Sequence, residues 1–65
     1  MLEQKIFSHL RDECKKLIKS HEEYLAAGNA KSFEEYKHAT GVIRGLALAI
    51  DEINSLANRL ETSDE

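Results

Sequence analysis

Gly41-Val42-Ile43-Arg44-Gly45-Leu46-Ala47-Leu48-Ala49-Ile50 is a ten-residue stretch in which Arg44 alone is strongly polar. It lies within a helical pattern and is apolar nearly all the way round. One neighbouring helix covers one stripe of such a helix, so the remainder needs cover from elsewhere. A chain of 65 residues can offer itself one other long helix. The remaining surface is therefore expected to meet another chain.

The size sharpens that expectation. Small domains bury a modest fraction of their surface and use disulfides, metals or association to hold together. Cys14 is the single cysteine, so no disulfide forms within the chain, and in a helical pattern it reads as a small core hydrophobe. The net charge of -3 weighs against nucleic acid as the main partner, because a phosphate binder needs a basic footprint. Lys15, Lys16 and Lys19 are offset by Asp12, Glu13, Glu22 and Glu23 and read as a solvated face. Met1 to Arg11 shows no cationic start followed by an apolar run, unlike a signal peptide. No stretch has the length of apolar sequence that spans a bilayer. The expected location is the cytoplasm of a cell, or a particle assembled within one.

The pattern predicts an all-α antiparallel hairpin. Proline is absent and strong helix formers dominate. A first helix over about residues 2–27 places Leu2, Ile6, Phe7, Leu10, Cys14, Leu17, Ile18, Tyr24 and Leu25 in one broad arc centred on Leu10, at about 100° per residue. Gly28 supplies a left-handed stop. Ser32 and Glu35 form a capping box that restarts the chain after a turn over 28–32. In the second helix, about 33–60, Tyr36, Ile43, Ile50 and Ala57 repeat every seven residues, as do Ala39, Leu46, Ile53 and Leu60. Those are the two rows of a coiled-coil-like seam. Residues 61–65 read as an acidic, flexible tail.

Outside that seam lie Val42, Gly45, Leu48, Ala49 and Leu56, the expected intermolecular face. Ile6, Leu10, Leu17, Tyr36, Ile43, Leu46, Ile50 and Ile53 are expected to form a core shared between chains. Gly41, Gly45 and Ala49 are four apart, and helix-interior glycines cost about 1 kcal/mol each, which points to backbones that approach closely there. The simplest closed arrangement is two hairpins in a four-helix bundle.

Chemistry finds little support. Glu35-Tyr36-Lys37-His38 has the Glu-x-x-His spacing of di-metal bundles, but Tyr36 takes the core position and His38 faces water. His9 and Glu13 suit a surface pair. His21 falls within the apolar arc and is expected to be a half-buried imidazole bonded to Tyr36 or Thr40, with a pH-sensitive contact as the sharper alternative. Cys14 and His21 are two turns apart, too far for direct activation of the thiol. No phosphate loop or nucleophile-base pair is present, so no enzymatic activity, cofactor or metal is expected.

The run Phe33-Glu34-Glu35-Tyr36-Lys37, followed by Gly41-Val42-Ile43-Arg44-Gly45-Leu46, resembles a group of very short, acidic, two-helix proteins encoded among the virion genes of tailed bacteriophages. The resemblance covers Phe33 to Leu60. It implies a small phage protein that packs on or within the head, the connector or an assembly intermediate, with itself or a larger phage structural protein as partner. No functional residue transfers with it. In layout the chain is also similar to the plasmid copy-number hairpin protein that dimerises and binds paired RNA stems. The alternative function is accordingly a regulatory binding module, either an RNA-binding dimer or a small inhibitor of a host protein.

Overall fold

Two helices joined by a short turn lie side by side in the computed structural model, which describes residues 2–63. Helix α1 spans Leu2–Ala26 and helix α2 spans Phe33–Ser63. The molecule measures 51 × 16 × 11 Å, so the hairpin is one helix thick. Helix α2 continues past Leu60 through Ser63, where a flexible tail was expected from 61 onward. No glycine or proline interrupts the chain there, and helix propagation is favourable once a helix exists. Asp64 and Glu65 lie outside the described residues.

The turn follows from three local interactions. Gly28 has φ of 75°, a conformation that costs other L-residues about 1–2 kcal/mol. Its amide donates to the Leu25 carbonyl at 3.1 Å, and the Asn29 amide donates to Tyr24 at 3.2 Å. That pair is a Schellman closure, which satisfies carbonyls the last turn would otherwise leave open. The Glu35 amide then donates to Ser32 Oγ at 3.1 Å. Glu35 Oε2 accepts from the Lys31 amide at 3.2 Å, one residue beyond the usual capping-box partner. Gly28→Ala is expected to lose about 1–2 kcal/mol of unfolding free energy in urea titration. An unchanged midpoint would show that the turn relaxes to another conformation.

The α2 side of the seam is formed by Ala39, Ile43, Leu46, Ile50, Ile53 and Ala57, all buried or half-buried. Ala39, at 2% exposure, is the one buried side chain among the described residues. Tyr36, expected in the core, is 50% exposed, because α1 ends before reaching its level. Leu60 is also largely exposed.

Helix α1 turns differently from the arc centred on Leu10. Its half-buried residues are Phe7, Arg11, Cys14, Ile18, His21, Tyr24 and Leu25. Ile6, Leu10 and Leu17 are all exposed. Arg11 Nη1 donates to Asn54 Oδ1 at 3.2 Å, an exposed bond that marks the register of the two helices. That register brings Phe7 level with Ala57 and Leu25 level with Ala39. At the two ends of the seam a large residue of α1 thus stands level with an alanine of α2, and in the middle Ile18 stands level with Leu46.

Candidate protein-protein interface

Phe33 and Leu48, both exposed, lie elsewhere on α2, but most of the apolar residues left outside the seam fall on one side of the hairpin. On α1 they are Leu2, Ile6, Leu10 and Leu17, all exposed. At about 100° per residue they lie roughly a quarter turn from Phe7, Cys14 and Ile18. On α2 the equivalent stripe is Val42, Gly45, Ala49, Leu56 and Leu60, displaced from the seam in the same angular sense. Antiparallel helices convert a shared sense of rotation into a common side, so the two stripes adjoin.

A cavity of about 430 Å³ at the turn end opens on this side. Tyr24 of α1 and His38 of α2 both line it, and each lies on the azimuth of its own helix's exposed stripe. The opposite side is mainly polar, with Phe33 the exposed apolar exception at the start of α2. It carries Gln4, Ser8, Lys15 and Glu22 from α1 and Asn54 and Asn58 from α2, together with the Arg11–Asn54 hydrogen bond. The hairpin is therefore amphipathic as a whole, beyond the amphipathicity of each helix.

Four of the five residues expected at the intermolecular face belong to the apolar side: Val42, Gly45, Ala49 and Leu56. Leu48, 57% exposed, lies farther round α2 and points away from α1. Val42 and Ala49 are half-buried and Gly45 is exposed. A Cβ built on Gly41 or Gly45 meets nothing within 4 Å. The close backbone approach expected of these glycines is thus absent inside the hairpin, because both lie on faces of α2 turned away from α1. Ile6, Leu10 and Leu17 join this side as well. The signal for them was present in the broad arc of α1, which holds two stripes rather than one.

The polar groups around the cavity are engaged locally. The His21 ring is half-buried, and its Nδ1 donates to the Leu17 carbonyl at 2.9 Å. The expected bond to Tyr36 or Thr40 does not form; Thr40 Oγ1 donates to the Lys37 carbonyl at 3.0 Å. A carbonyl four residues back on the same helix lies within easier reach of a short side chain than a group across the bundle. His9 Nε2 lies 3.8 Å from Glu13 and Lys16 Nζ lies 3.6 Å from the same carboxylate, both pairs largely in solvent. Such pairs contribute little to stability. Lys37 Nζ sits 5.5 Å from the Phe33 ring centroid, a cation–π contact one turn apart. Cys14 is a free, half-buried thiol on the seam.

Among the described residues no three His, Cys, Asp or Glu side chains come together as a metal site. None of their helices is long and apolar enough to cross a membrane. The chain matches no protein-family model, no curated protein and no solved structure in the three comparisons made. The arrangement can offer one extended apolar surface with charged rims, a surface suited to helix packing.

Proposed function

We propose that this chain is a non-enzymatic assembly protein that works through helix-helix packing, using the apolar side of the hairpin as its contact surface. The observation that carries the reading is the alignment of Ile6, Leu10, Leu17, Leu56 and Leu60, exposed on both helices, along a common side. Large contiguous apolar patches on small soluble proteins mark interaction surfaces. Full burial of such a side chain is worth about 1.5–3 kcal/mol, and each is a little under half exposed in the hairpin, so covering the side adds about half of that per residue and stabilises the hairpin and the assembly together. The bacteriophage setting, as a virion or connector-associated component, comes from the resemblance over Phe33 to Leu60.

Molar mass by light scattering after size exclusion, across a dilution series, tests the contact surface. A multiple of the 7.4 kDa chain is expected, with helicity falling as the assembly dissociates. A monomer of full helicity at every concentration would overturn the reading, because its apolar side would then need no cover. The phage setting predicts that an antibody to the chain detects it in purified particles; its absence from particles would remove that setting.

A further inference from the structure

We draw no further inference here: the strongest candidate, the cavity of about 430 Å³ at the turn end lined by His21, Tyr24 and His38, opens on the apolar side already described, and nothing in the structure shows what covers that side.

Discussion

Leu17→Lys combined with Leu56→Lys is expected to convert the assembly to monomers and raise its dissociation constant by at least about 100-fold. Both positions lie on the apolar side, at 49% and 42% exposure in the single chain, and neither belongs to the seam between α1 and α2. The double substitution removes two apolar side chains per copy from the contact. It also asks an ammonium group at each position to leave water, a step that costs several kcal/mol without a partner charge. Lysine can carry its charge out to the rim on a long stem, which limits the penalty but not the lost burial. Leu48→Lys is the matched control. Leu48 is more exposed than either, at 57%, yet it points away from α1, and its substitution is expected to leave the molar mass unchanged. Sedimentation of the three proteins at equal concentration makes the comparison. Dissociation by Leu48→Lys with retention of mass by the double variant would place the contact on the outer face of α2.

Ala39→Leu is expected to lower unfolding free energy by about 1–3 kcal/mol. Ala39 is 2% exposed, on the centre line of α2, where the register brings it level with Leu25 of α1. Its methyl group lets a large residue of the first helix sit against the second. Three further heavy atoms there force either an unfavourable rotamer or a wider separation at the turn end, where the Gly28 closure limits movement. Ala47→Leu, exposed on α2, is expected to stay within about 0.5 kcal/mol. Chemical denaturation at one fixed protein concentration is the measurement, because association adds to apparent stability by mass action. A raised midpoint for Ala39→Leu would mean that the space around Ala39 is underfilled.

These two expectations depend on different kinds of information. The turn is legible because its signals are contiguous: Gly28 for the left-handed residue, then Ser32 and Glu35 for the cap. Each acts through backbone groups within a few residues, and the hydrogen bonds of the turn follow. The α2 seam is legible for a related reason. Its heptad rows run through the middle of the helix, where a partner is present at every level. At Tyr36 the same row loses its meaning, because α1 has already ended. His21 was legible as a half-buried group but its bond was not, since the nearby Leu17 carbonyl competes with any acceptor across the bundle.

The rotation of α1 was not legible. Its apolar arc holds Phe7, Cys14, Ile18 and Leu25 beside Leu2, Ile6, Leu10 and Leu17, and either row satisfies the helical period. Residue type along α1 cannot separate them, because the choice turns on what stands opposite. Phe7 and Leu25 stand level with Ala57 and Ala39 in the observed register, and theirs is the half-buried row while the other row is exposed. The sequence by itself determined the two helices, their boundary at Gly28 and the excess of apolar surface on α2, all through local hydrogen bonding and periodicity. The tertiary structure decided which row of α1 is covered, and that the uncovered rows of both helices share one side. That decision rests on residues from the two different helices, 14 to 50 positions apart in the chain, standing opposite one another.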